Sequence, residues 1–107
     1  MEHLEFEWTA DKPATPTRQE RVLVGVVASG NLEVMMERQP LHGACRFVID
    51  TSAEGFAEIW KAVLTDFMAR HPVADVCVSI HDHAASPAVV SLRLDQALEL
   101  MESNPCD

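Results

Sequence analysis

Apolar and polar positions alternate with period two in several stretches of this chain and recur at helical spacing in two others. Leu4-Glu5-Phe6-Glu7-Trp8 places Leu4, Phe6 and Trp8 on one face of a short strand. Two apolar strand-like runs, Val22 onward and Leu32 to Met36, meet at Ser29-Gly30-Asn31, and the second keeps Leu32, Val34 and Met36 on one side. Cys45 to Asp50, entered through the turn-like Pro40-Leu41-His42-Gly43, predicts a fourth strand with Val48 and Asp50 facing outward. Val76, Val78 and Ile80 alternate with Cys77, Ser79 and His81 and predict a fifth.

The helical signals come later. Thr51-Ser52-Ala53-Glu54 matches a capping box, in which Thr51 accepts from the Glu54 N–H while the Glu54 carboxylate reaches back. Phe56, Ile59 or Trp60, Val63 and Phe67 then follow at helical spacing, and Pro72 ends the pattern. Ser86-Pro87 carries the N-cap and first-turn signature of a second helix, with Val90, Leu94, Ala97 and Met101 as its buried stripe. Thr9 to Arg21, with Pro13 and Pro16, predicts a flexible loop over residues 9–21, and residues 103–107 predict a frayed tail. The order predicts an α+β fold: a mixed, mostly antiparallel sheet of about five strands with two helices on one face. At 107 residues the whole chain, 1–107, is expected to form a single domain.

Charge narrows the partners. Seventeen Asp and Glu against eight Lys and Arg give a net charge of −9. Phosphate neutralisation needs cations, so nucleic acid is excluded as a partner, and a basic protein surface suits this chain better. The acidity also fits a simpler role in keeping the domain soluble. No apolar run reaches the roughly 20 residues a membrane span needs, so no membrane partner is expected. The acidic start, Met1-Glu2-His3-Leu4-Glu5, lacks the layout of a secretion signal and predicts a cytoplasmic location. Cys45, Cys77 and Cys106 have no paired spacing and read as reduced thiols, the first two within strands.

Autonomous catalysis finds little support. His81-Asp82-His83 is the densest titratable cluster, and two histidines two apart on a strand share a side as metal ligands can. A third ligand is not fixed by spacing, and a strand end with Asp82 accepting backbone N–H groups is the simpler account, so no metal site is assigned. Ser29 is not in a Gly-x-Ser-x-Gly elbow, and four glycines in all leave no phosphate loop. Ser29 is better placed to be modified than to attack a substrate. Its hydroxyl lies between two stiff runs, and Gly30 permits close approach because it has no Cβ. Taken alone, the same residues also make an ordinary turn.

Val24-Gly25-Val26-Val27-Ala28-Ser29-Gly30-Asn31-Leu32-Glu33-Val34 resembles the attachment region of the malonate decarboxylase acyl carrier protein family, the delta subunit. The stretch from Ile80 to Ala97, through His81-Asp82-His83 and Ser86-Pro87, is similar to a second segment of that family, and Leu4-Glu5-Phe6 to its first strand. The related citrate lyase acyl carrier (gamma chain) shares a Ser-Gly-acidic core, and the second stretch makes the malonate family the closer resemblance. The resemblance implies a non-catalytic carrier with a 2'-(5''-phosphoribosyl)-3'-dephospho-CoA arm joined to Ser29 through a phosphodiester. Gly30 and Asn31 become the neighbours a transferase recognises. The arm's thiol would carry acetyl and malonyl groups as thioesters. The implied partners are the acyl transferase and decarboxylase subunits, a malonyl transferase and the phosphoribosyl-dephospho-CoA transferase. Position 31 is Asn where the family more usually has Asp, and the Thr9–Arg21 loop is longer than the usual pattern. The alternatives are a citrate lyase-type carrier and a small protein-interaction domain, with a metal-dependent enzyme third.

Overall fold

A computed structural model describes residues 2–9, 19–25, 32–83 and 85–102. Residues 10–18 of the long loop, the segment 26–31 with Ser29, Gly30 and Asn31, and the 103–107 tail lie outside the described residues.

Five strands form one sheet: β1 (Glu2–Thr9), β2 (Arg21–Val24), β3 (Leu32–Arg38), β4 (Ala44–Thr51) and β5 (Val76–Asp82). Two helices, α1 (Ala57–Arg70) and α2 (Pro87–Glu102), complete the described elements. The spatial order is β1-β4-β5-β3-β2. β1/β4, β5/β3 and β3/β2 are antiparallel, and β4/β5 are parallel. A parallel pair needs a crossover, which α1 supplies. The α+β fold expected from the sequence is the one observed.

Alternation decides which side chains meet the helices. Leu32, Val34 and Met36 of β3, Phe47 and Ile49 of β4, and Val78 and Ile80 of β5 are all fully buried. Leu4, Phe6 and Trp8 of β1 pack against the same core. Phe47 meets Trp8 edge-on at 5.4 Å and Phe67 of α1 edge-on at 6.3 Å, linking sheet and helix. The opposite face is wetter and carries His3, Glu5, Arg46, Asp50 and His81, with Val48 half-exposed as expected. No described helix is long and apolar enough to cross a membrane.

Helix α2 follows its sequence signals closely. It begins at Pro87, the Val89 N–H donates to Ser86 Oγ at 3.3 Å, and Val90, Leu94, Ala97 and Met101 are buried. Its far end is closed by Gln19, whose backbone N–H donates to the Met101 carbonyl and whose side-chain amide donates to the Leu100 carbonyl.

Helix α1 departs from expectation in two ways. Thr51 does not start it; Thr51 is the buried last residue of β4, and α1 begins at Ala57 with no side-chain cap on Phe56. The capping box fails because the Thr51 hydroxyl donates to Asp82 Oδ2 at 2.7 Å, and its oxygen accepts from the Ala53 N–H. The buried stripe is Trp60, Leu64 and Phe67, while Phe56 and Ile59 are 45% and 46% exposed. They flank an apolar groove of about 210 Å³ between the helices, also lined by Trp60, Val63, Pro87 and Val90.

Candidate functional site

The two ends of the sheet have different chemistry. At one end lie the end of β2, the start of β3, the ends of β4 and β5 and the start of α2; this is the end where the segment carrying Ser29 enters and leaves the sheet. Arg21 pairs with Glu37 and Val24 with Val34, and Ser29 belongs to the connection between β2 and β3, residues 25–31.

Gly25 closes β2. Its φ is +81°, and an added Cβ would lie 2.4 Å from the Leu32 carbonyl oxygen. Only glycine can leave β2 in this conformation with the returning strand so close. The left-handed turn also ends the described strand at Val24, earlier than the apolar run suggests.

Asp82 holds the other elements of this end. It pairs with Leu32 across β5/β3 and with Thr51 across β5/β4. Its side chain is buried at 3% exposure, taking the Thr51 hydroxyl on one oxygen and the Ala85 N–H on the other at 2.9 Å. The Ser52 N–H donates to the Asp82 carbonyl at 3.0 Å. Asp82 therefore fixes where α2 starts, through hydrogen bonds that a buried carboxylate requires.

That start directs α2 back along β2 and β3 and brings Arg93 against Gly25. The position of a Gly25 Cβ would be 3.5 Å from Arg93 Nε. Arg93 Nε is shielded from solvent and has no hydrogen-bond partner. Among the described residues, Nη1 makes one long contact, to Gln96 Oε1 at 3.4 Å. Three other described arginines are paired with carboxylates, Arg21 with Glu37, Arg46 with Glu5, and Arg70 with Asp66 and Asp95, while Arg38 is exposed. A buried N–H without a partner is uncommon in a folded chain.

The His81-Asp82-His83 cluster resolves differently from a metal site. His81 is exposed on the open face, β5 ends at Asp82, and His83 lies beyond the strand, so the histidines do not share a strand face. Asp82 accepts a backbone N–H and a hydroxyl, as a strand end should. Among the described residues no group of three His, Cys, Asp or Glu side chains could hold a metal ion. Cys45 and Cys77 are buried free thiols, and burial pushes the Cys45 thiol up to about 12.

Sequence reading missed Gly25 and Arg93 as parts of one site. Both lie in the stretches that carried the resemblance, Val24 to Val34 and Ile80 to Ala97. Spatial register joins those stretches: Val34 pairs with Ile80, and Gly25 lies beside Arg93.

Residues 19–101 match the sequence model of the family described as malonate decarboxylase delta subunit (MdcD). The malonate decarboxylase acyl carrier protein of Xanthomonas euvesicatoria pv. vesicatoria (strain 85-10) is 56% identical over 102 residues, covering 95% of this chain and 96% of the relative. The Burkholderia cepacia protein of the same name is 56% identical over 97 residues, covering 91% and 87%. In the crystal structure of a Pseudomonas malonate decarboxylase hetero-tetramer in complex with malonate, one chain superposes with a TM-score of 0.80 at 37% identity. That likeness covers 94% of this chain and 99% of the other.

Proposed function

Because this chain belongs to the malonate decarboxylase acyl carrier protein family, the delta subunit, we propose that it is a non-catalytic carrier whose prosthetic group is attached at Ser29. The observation that carries this reading is the agreement of family, relatives and fold over nearly the full chain. The resemblance specifies the group as 2'-(5''-phosphoribosyl)-3'-dephospho-CoA, joined through a phosphodiester. When bound, it supplies a terminal thiol on which acetyl and malonyl groups travel as thioesters.

The described residues fit such a group. A phosphodiester is an anion, and an unpartnered Arg93 N–H lies beside Gly25, at the base of the segment that carries Ser29. Val24 and Leu32, the strand residues on either side of that segment, are both paired within the sheet, and in this reading reach resides in the arm. The core thiols do not compete for the acyl group, since Cys45 is buried and protonated at neutral pH.

Delivery is the protein's contribution. Tethering raises the effective concentration of the carried group at each partner's active site. The hetero-tetramer that contains the structural relative supports a place among other decarboxylase subunits. The implied partners are acyl transferase and decarboxylase subunits in the cytoplasm, with a malonyl transferase and the arm-attaching transferase acting on the carrier. Asn31 keeps the turn-forming shape of Asp with one charge fewer, and modification of Ser29 is expected to tolerate it.

Intact mass tests the assignment. Co-expression with the cognate transferase should add one phosphoribosyl-dephospho-CoA unit, and Ser29→Ala should abolish the adduct. An unmodified chain under conditions that modify a known carrier, or an adduct that survives in Ser29→Ala, would sink the site.

A further inference from the structure

We propose that the free edge of β1 is a docking site for an extended strand of a partner protein, one that alternates apolar and cationic side chains; this rests on the carrier-subunit reading above.

The two edges of the sheet differ. β2, at one edge, has four residues and is followed by Gly25, whose left-handed turn takes the chain out of line. β1, at the other, runs for eight residues, and each from Glu2 to Thr9 pairs with β4 in one unbroken register. It contains no proline and no lysine, the common blocks to edge pairing. Among the described residues no strand lies beyond it. The chain leaves β1 at Thr9 and is next described at Gln19, across the sheet at the end of α2. An edge of this length presents a row of backbone N–H and C=O groups to whatever strand can align with it.

The side chains define what fits. Leu4, Phe6 and Trp8 pack against the core yet are only half-buried, because no strand flanks them on the outer side. Phe6 and Trp8 lie 5.9 Å apart ring to ring, an apolar ledge that the apolar side chains of an added strand would extend. His3, Glu5 and Glu7 alternate with them on the wet face and are exposed. Arg46 of β4 is one cation between two glutamates, paired in register with Glu7 and hydrogen-bonded to Glu5. The row stays anionic, so cationic side chains at alternate positions of an added strand would face Glu5 and Glu7 directly.

A second copy of this chain does not meet that requirement. Two β1 strands paired antiparallel with their faces aligned, centred on Glu5 or Phe6, set Glu5 opposite Glu5 or Glu7 of the other copy. Like charges directly opposite are destabilising. The net charge of −9 adds repulsion between whole molecules.

The test combines the full chain with the other subunits of the cognate decarboxylase, purified without it, and follows amide hydrogen exchange residue by residue. In the free chain the β1 amides bonded to β4 should exchange slowly and the alternate, outward ones fast. On assembly the outward ones should slow by about tenfold or more. Glu5→Gln combined with Glu7→Gln should weaken assembly by about tenfold. Glu20→Gln with Glu102→Gln, which removes the same charge from sites outside the sheet, should leave assembly near the wild-type level. Assembly with the outward β1 amides still exchanging fast overturns the proposal, and this result needs no variant to fold. Equal effects of the two pairs of substitutions overturn the cationic strand as the occupant. A free chain that dimerises with the same amides protected overturns it in favour of a second copy. A wild-type chain that does not join the other subunits defeats the carrier-subunit reading instead.

Discussion

Both ends of the sheet are tied by an aspartate, and the two ties differ in what they leave open. At the end away from Ser29, Asp75 takes the Leu41 and Gly43 N–H groups on one carboxylate oxygen at 2.9 and 3.0 Å. Its own backbone receives from Gln39 and donates to Ala44. That clasp is exposed and closes a turn. At the other end, buried Asp82 joins β4, β5 and the start of α2, and the helix it launches sets an unpaired Arg93 beside Gly25. The Asp75 clasp closes a single turn, whereas at the other end the buried Arg93 Nε–H has no partner among the described residues. A depression of about 620 Å³ lies among Glu20, Arg38 and Asp75 at the Asp75 end.

Glycines test the contrast most severely. Gly25→Ala forces a left-handed residue to place a Cβ against a backbone carbonyl, and should lower unfolding free energy by roughly 3 kcal/mol. Gly43 has a similar φ of +85° but open space around it, so Gly43→Ala should cost only about 1 kcal/mol. Urea denaturation of the two variants measures the difference, and equal losses would remove the close approach at Gly25 as a cause.

Aspartates come next. Asp82→Ala leaves the buried Thr51 hydroxyl and the Ala85 N–H without their partner and should cost about 2–3 kcal/mol. Asp75→Ala acts on an exposed clasp and should cost less in the same urea assay. A reversed order would show that the solvent-facing tie, not the buried one, holds the sheet.

Thiol chemistry separates core from surface more gently. Cys45 is buried in β4 with its thiol pushed up to about 12, first by burial and then by neighbouring Cys77. Iodoacetamide at pH 8 should leave Cys45 unlabelled in the native chain and label it in urea, with peptide mass spectrometry as the readout. Labelling in the native state would mean that β4 opens locally.

Acid titration should give the smallest effect. The Gly43 and Leu41 N–H groups hold the Asp75 carboxyl below its ordinary value of 3.8. Because the folded pKa lies below the unfolded one, this stabilisation is fully present above about pH 4 and disappears as pH falls through the folded pKa. Wild type should therefore be more stable than Asp75→Asn at pH 6, and the gap should close in strong acid. A gap independent of pH would assign the effect to hydrogen-bond geometry alone.

Local periodicity made much of this fold legible. Leu32, Val34 and Met36, and the α2 stripe Val90, Leu94, Ala97 and Met101, were readable because burial on one face imposes period two on strands and 3.6 on helices. Ser86-Pro87 was readable for the same reason, since capping is satisfied within a few residues. The Thr51 capping box failed because its hydroxyl is committed to Asp82, 31 residues away. Phe56 and Ile59 matched the spacing of a core stripe, yet α1 turns its Trp60, Leu64 and Phe67 face inward and leaves them beside the groove.

The sequence by itself determined the elements, the faces they bury and, through two separated stretches, the family to which the chain belongs. Those features depend on neighbours along the chain or on recognisable strings of residues. Only the tertiary structure decided that the two stretches meet, that Gly25 must be glycine, and that Arg93 lies beside Gly25 with its Nε–H unpartnered. Each of these depends on which groups approach across the sheet and helix layers, and no local pattern records whether a polar atom finds a partner there.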